Sequence, residues 1–218
     1  MKYYAVKRGR QPGIYENWSS CQEQIYKYSG AVFKSFEDRT AAEEYLQQEE
    51  TGQPINENLP AAYIDGSFSK NTGCYGYGGF ISNGRECHII QGTGSNPEYI
   101  TERNIAGELL GTLAVMHKCH DLGIHEINLY FDYAGIEEYT TGYWKAKTPL
   151  AIYYRDTMDL LAGHYNLQVH FIKLKGHTGI EGNEIADYLA KEATGAQLRK
   201  KDIKTLAEFR ARQGELNS

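Results

Sequence analysis

Residues 61–92 read AAYIDGSFSKNTGCYGYGGFISNGRECHIIQG. The run 61–65 is β-prone and ends on an acid, and Gly66-Ser67 then reads as a turn. Two further runs, 74–82 and 86–92, flank Asn83-Gly84, a pair suited to a tight hairpin turn because both central positions need φ > 0. Three antiparallel strands are therefore expected before any helix. Beyond them, Ile105, Leu109, Leu113 and Met116 lie on one stripe of a helix spanning 101–121. A strand at 126–132 alternates through Ile127, Leu129 and Phe131. Helices at 134–141 and 149–163, a strand at 167–174 and a helix from about 181 to 192 complete the order. The pattern predicts an α/β unit with a mixed five-stranded sheet flanked by helices.

Upstream, QQEETGQPINENLP (47–60) is polar, holds two prolines and lacks apolar periodicity, which places a linker at 49–60. The head, 1–48, reads as β-β-α-β-α. Tyr3-Tyr4-Ala5-Val6, Ile14-Tyr15 and 32–36 are strand-like, Ser19-Ser20 opens a helix, and Thr40 with Glu43 forms a capping-box pair ahead of a second. Phe36, of opposite strand parity to Phe33, is expected to be the buried member of the two. Downstream of a body at 61–196, the tail 197–218 carries Arg199-Lys200-Lys201 and a helix at 203–213, read as solvated.

The 218 residues are 41% hydrophobic and 23% charged with 5 Pro, which excludes a disordered chain and a collagen. No apolar run approaches the roughly 20 residues that span a bilayer, and Lys7-Arg8 interrupts the first apolar run, so neither a membrane span nor a signal peptide is expected. Cys21, Cys74, Cys87 and Cys119 contain no C-x-x-C pair, and a reduced, cytoplasmic chain is the expectation. Cys119-His120 with His117 lacks a second ligand pair at zinc spacing, and GYGG and GTGS open no helix in dinucleotide register.

The net charge of −5 argues against a nonspecific nucleic-acid binder until it is divided along the chain. Residues 1–36 carry +4, 37–60 carry −6, 61–193 carry −6 and 194–218 carry +3. A basic stretch at 1–36 and a basic tail thus flank an acidic middle. Within the body, Asp65 and Asp132 each end a predicted strand, Glu108 lies one position off the stripe of the first long helix, and Asp187 lies inside the last helix. Acids converging this way repel one another unless cations are present, and hard divalent ions prefer carboxylate oxygen. Four such acids suit a two-ion centre for displacement at a phosphate. His177, in the Gly-bounded loop KGHTG (175–179), is placed to move a proton.

Asp65-Gly66-Ser67, Asn104-x-x-x-Glu108, Asp132, Gly176-His177-Thr178-Gly179 and Asn183-Glu184-Ile185-Ala186-Asp187 together resemble a type 1 ribonuclease H. The head, through Gly9-Arg10-x-Pro12-Gly13-Ile14-Tyr15-x-x-Trp18 and Phe33-Lys34-Ser35-Phe36, is similar to that family's N-terminal, viroplasmin-like hybrid-binding domain. The resemblance implies endonucleolytic hydrolysis of the RNA strand of RNA–DNA hybrids, giving 5′-phosphate and 3′-hydroxyl ends. It further implies that Asp65, Glu108, Asp132 and Asp187 hold two Mg²⁺ ions, with Mn²⁺ as a substitute, and that His177 assists proton transfer or product departure. Asn71, Asn104, Gly107, Thr148 and Asn183 would meet substrate in the body, with Glu108 and the backbone near Gly107 reading the ribose 2′-OH. In the head, Trp18 and Phe33 would pack on sugars of the DNA strand and Lys34 would meet phosphate, with double-stranded RNA as a second ligand of this domain. A monomer is implied, with no membrane partner.

The chain departs from the family pattern at Ala134, where relatives often place Gln, and at Ile105 and Ser35. The segment 142–148 offers only Lys145 and Lys147 as a basic substrate handle. These departures bear on affinity, not on the carboxylates. Two other readings compete: a binding protein with a dead nuclease domain, disfavoured by the complete quartet, and a DNA-directed member of the same superfold, disfavoured by the GHTG loop and the head.

Overall fold

The computed structural model describes residues 2–26, 28, 32–47, 55–174 and 180–216, and the chain forms two compact units, Met1–Ile55 and Asn56–Ser218. In the first, strands β1 (Tyr3–Arg8), β2 (Gly13–Tyr15) and β3 (Val32–Phe36) make an antiparallel sheet in the order β2-β1-β3, with helices α1 (Trp18–Ile25) and α2 (Arg39–Gln47). Ala5 and Val6 are both fully buried although strand parity sends them to opposite faces, so both faces of this small sheet are covered. Asn17 caps α1 by accepting from the Ser20 N–H at 2.9 Å. Arg10 holds its other end, donating to the carbonyls of Glu23 and Tyr26.

The second unit is the mixed sheet. Strands β4 (Ala61–Ser69), β5 (Cys74–Ser82), β6 (Cys87–Gly94), β7 (Glu126–Phe131) and β8 (Gln168–Lys173) are ordered β6-β5-β4-β7-β8. The first three pair antiparallel, and β4-β7 and β7-β8 pair parallel. Helices α3 (Asn104–Asp121), α4 (Gly135–Thr140) and α5 (Pro149–Tyr165) belong with one face, where Ile64, Ile81, Leu109, Leu113, Met116, Leu129, Phe131 and Tyr154 form the main core. Helices α6 (Glu181–Thr194) and α7 (Lys200–Leu216) close the other around Phe80, Ile185, Tyr188, Leu189, Leu206 and Phe209. No helix among the described residues is long and apolar enough to cross a membrane.

Two expectations are corrected. Gly66-Ser67 is not a turn: β4 runs on to Ser69, because Ser67 and Ser69 are buried and pair with Gly76 and Cys74 of β5. The C-terminal helix is longer than 203–213 and is not solvated, since Leu206 and Phe209 drop into the apolar face left by α6.

Candidate active site

Asp65 lies on β4, Asp132 directly follows β7, and Glu108 lies one turn into α3. The β4-β7 ladder covers residues 61–63 against 128–130 and stops two residues short of both aspartates. Helix α3 approaches this point through glycines. A Cβ on Gly66 would fall 2.1 Å from the Asn104 carbonyl oxygen, and one on Gly107 would fall 1.9 Å from the Gly76 carbonyl oxygen and 2.9 Å from the Gly66 Cα. The missing side chains let α3 lie directly on β4 and β5, which brings Glu108 beside Asp65. As a result, Asp65, Glu108 and Asp132 each offer an oxygen within 4.8 Å of the other two.

Their electrostatics follow from crowding. Burial pushes Asp65 up from 3.8 to about 7, and the neighbouring Asp132 and Asp187 carboxylates push the same way, while the hydrogen bond with Glu108 and the Gly66 N–H, donating at 2.7 Å, hold it down. Glu108, 2% exposed, is raised well above its ordinary value by burial first and then by Asp65. The two carboxyls are hydrogen-bonded to each other, so one proton is shared within the pair. The Glu108 Oε2 atom is buried with no hydrogen-bond partner. A buried, unsatisfied carboxylate oxygen among like charges is costly, and a divalent cation would offset both the repulsion and the missing bond. The donor set, oxygen only, fits Mg²⁺ or Mn²⁺ rather than a soft metal.

The match to known proteins extends over both units. The sequence pattern described as "RNase H" matches residues 58–195, and the one described as "Ribonuclease H1 N-terminal domain" matches residues 2–46. The chain belongs to the ribonuclease H family. Ribonuclease H1 of Mus musculus is 25% identical over 252 residues, covering 87% of this chain and 88% of that protein. Ribonuclease H of Saccharomyces cerevisiae is 41% identical over 49 residues, and the chain spans only 14% of that relative's length. RNase H1 from Halobacterium salinarum superposes with a TM-score of 0.50 at 25% identity, over 63% of this chain and 98% of that one. Within that family's pattern the chain holds an acidic cluster suited to a divalent metal ion.

Asp187, fourth of the expected acids, is close enough to act electrostatically on Asp65, but its Oδ2 accepts from Lys191 Nζ at 2.6 Å and it stands outside the three-acid group. His177 lies outside the described residues. Asn71 is exposed in the β4-β5 turn, and Asn104 is the exposed first residue of α3. Gly107 is buried, and its contacts with Gly66 and Gly76 are packing contacts. Thr148 caps α5, its hydroxyl accepting from the Ala151 N–H at 3.2 Å. Asn183, in the first turn of α6, keeps a buried Oδ1 without a partner among the described residues.

In the head, Trp18 and Phe33 are 44% and 39% exposed, and their rings stand 5.7 Å apart with Tyr4 5.6 Å beyond Trp18. Phe36 is the half-buried one, against Tyr45 of α2. Lys34 sits on the Phe36 side of β3, its ammonium 5.2 Å from the Phe36 ring centre and 6.0 Å from that of Tyr45. Phe33 and Lys34 therefore leave β3 on opposite faces. Sequence reading missed Lys191 and the Gly66–Gly107–Gly76 contact. The Asp-x-x-x-Lys spacing signals the first, whereas nothing local signals the second.

Proposed function

We propose that this chain hydrolyses the RNA strand of RNA–DNA hybrids endonucleolytically, leaving 5′-phosphate and 3′-hydroxyl ends, at a two-Mg²⁺ site held by Asp65, Glu108, Asp132 and Asp187. The observation that carries this reading is the convergence of Asp65, Glu108 and Asp132 within 4.8 Å in a ribonuclease H family chain. When bound, the ions supply charge neutralisation at the scissile phosphate and acidify an attacking water. The protein's share is positional. Gly66 and Gly107 let α3 carry Glu108 to Asp65, and the end of the β4-β7 ladder leaves both aspartates open to a ligand. His177 moves a proton or helps product leave in this reading. The exposed Trp18–Phe33 pair is a stacking surface for sugars of the DNA strand, with Lys34 reaching phosphate around the strand edge. Asn71 and Asn104 take minor-groove contacts, Asn183 also meets substrate, and double-stranded RNA is a second ligand of the head. A cytoplasmic monomer with reduced thiols belongs to the same reading.

The deciding experiment is Mg²⁺-dependent cleavage of a labelled hybrid beside duplex RNA and duplex DNA. Only the hybrid is expected to be cut, in its RNA strand. Asp132→Asn is expected to reduce cleavage by on the order of 10³-fold, the scale of losing metal-borne charge stabilisation. Retained cleavage in that variant would sink the assigned mechanism.

A further inference from the structure

Helix α7 lies outside the family match, which ends at residue 195, yet it is fastened along the helix that carries Asp187. Its N-terminal turn is pinned by Asp202, 2% exposed, which accepts from the Arg199 backbone N–H, Nε and Nη2 at 3.1, 2.9 and 3.0 Å and hydrogen-bonds the Tyr188 hydroxyl. Tyr188 is the residue after Asp187. Arg210 makes a bidentate pair with Glu192 near the end of α6, at 2.9 and 2.6 Å, and Arg212 reaches Glu181 at its start, at 2.7 Å. Two helical positions apart is roughly 200° of rotation, so the two arginines project oppositely and grip both ends of α6. The Arg212 pair is exposed and weak by itself. The Arg210 pair is reinforced by Gln91 of β6, which donates to Glu192 Oε2 at 3.0 Å and to the Leu189 carbonyl at 2.8 Å.

Between these anchors the contact is apolar and leads toward the site. Phe209 packs on Phe80 at 5.0 Å, Phe80 on Tyr63 at 5.2 Å, and Tyr63 on Tyr130 at 4.5 Å. Tyr63 and Tyr130 each precede a site aspartate by two residues, Asp65 and Asp132. Gly182 of α6 lies on the same Tyr63 ring, where a Cβ would meet it at 2.5 Å. The strand aspartates and the helical one are therefore referenced to each other through a single packed layer that α7 completes.

We infer that helix α7 is a positioning element for the metal site: it fixes α6, and with it the distance of Asp187 from Asp65 and Asp132. The inference rests on the reading of these acids as metal ligands. Arg210→Gln and Phe209→Ala in the full chain test it, with Lys204→Ala, on the exposed Lys204–Glu208 pair, as the control. The measurements are divalent-ion affinity by calorimetry with Mg²⁺ or Mn²⁺, amide exchange of α6, and the KM-against-kcat split on hybrid. Expected are an ion dissociation constant raised at least about threefold, faster exchange in α6, an unchanged KM for hybrid, and a loss of kcat at low Mg²⁺ that high Mg²⁺ restores. Lys204→Ala should match wild type. A lowered melting temperature with unchanged ion affinity and unchanged Mg²⁺ dependence overturns the inference, leaving α7 as a stabilising element only. Should Phe209→Ala fail to fold, Arg210→Gln alone carries the test. Wild-type protein that neither binds the ion nor cuts hybrid would overturn the metal-site reading itself, a different result from an unaltered variant.

Discussion

Glu108 and Asp65 are held in a state that the protein alone does not satisfy. With Asp65 raised to about 7 and Glu108 raised well above its ordinary value by burial, the metal-free folded chain binds protons that the unfolded chain releases near its ordinary carboxylate values. The unfolded state therefore holds fewer protons across this window. The stability that these two groups contribute to the metal-free protein is full below about pH 4, near the ordinary values, and is lost as pH rises through about 7. Melting curves in chelator should show this decline, by roughly several degrees, and saturating Mg²⁺ should remove most of it. A flat metal-free profile would contradict the assignment. Glu108→Gln keeps the shape and removes the charge, so its metal-free form should melt above wild type at pH 8 while cleavage is lost. This exchange of stability for a ligand position is the physical content of the orphaned Glu108 oxygen.

The strands and helices that bring these acids together were largely legible from periodicity. Asn83-Gly84 marks the hairpin of β5 and β6, although its loop is 83–86 and only Gly84 takes φ > 0, and α3 follows from its apolar stripe. The strand β4 was underestimated because Gly66 reads locally as a turn, whereas in the sheet it is the point where α3 touches β4. That contact yields its own prediction. Gly107→Ala, whose Cβ would fall 1.9 Å from the Gly76 carbonyl oxygen, should destabilise the chain by about 1–3 kcal/mol or more. It should also weaken cleavage at temperatures where the variant is still folded, because α3 must move outward and Glu108 moves with it. Chemical denaturation beside cleavage rates checks both. A variant as stable and active as wild type would show that α3 has room the packing denies it.

Across the whole chain, charge distribution divides the labour. Residues 1–36, net +4, present Trp18 and Phe33, while the body is acidic, in part because of its site. Deleting residues 1–50 should raise the KM for hybrid and reduce processivity, with little change in kcat and in the Mg²⁺ concentration giving half-maximal rate. Unchanged KM and processivity would show that the body grips hybrid unaided. Trp18→Ala in the full chain should reproduce part of the binding loss, on the order of 1–3 kcal/mol for a stacked base or sugar, while melting of the body stays as in wild type.

What the sequence determined by itself was the order of strands and helices and where its acids fall along them. Hydrophobic period, turn residues and residue type are local properties that one chain displays openly. What only the tertiary structure decided was distance. It put Asp65, Glu108 and Asp132 within reach of a single ion. It turned a tail read as solvated into a helix clamped on α6. These outcomes depend on glycine contacts between elements distant in the chain and on an apolar face whose cover comes from residues far downstream. Neither leaves a periodic trace in the sequence, because each arises from the packing of surfaces rather than from the conformation of a segment.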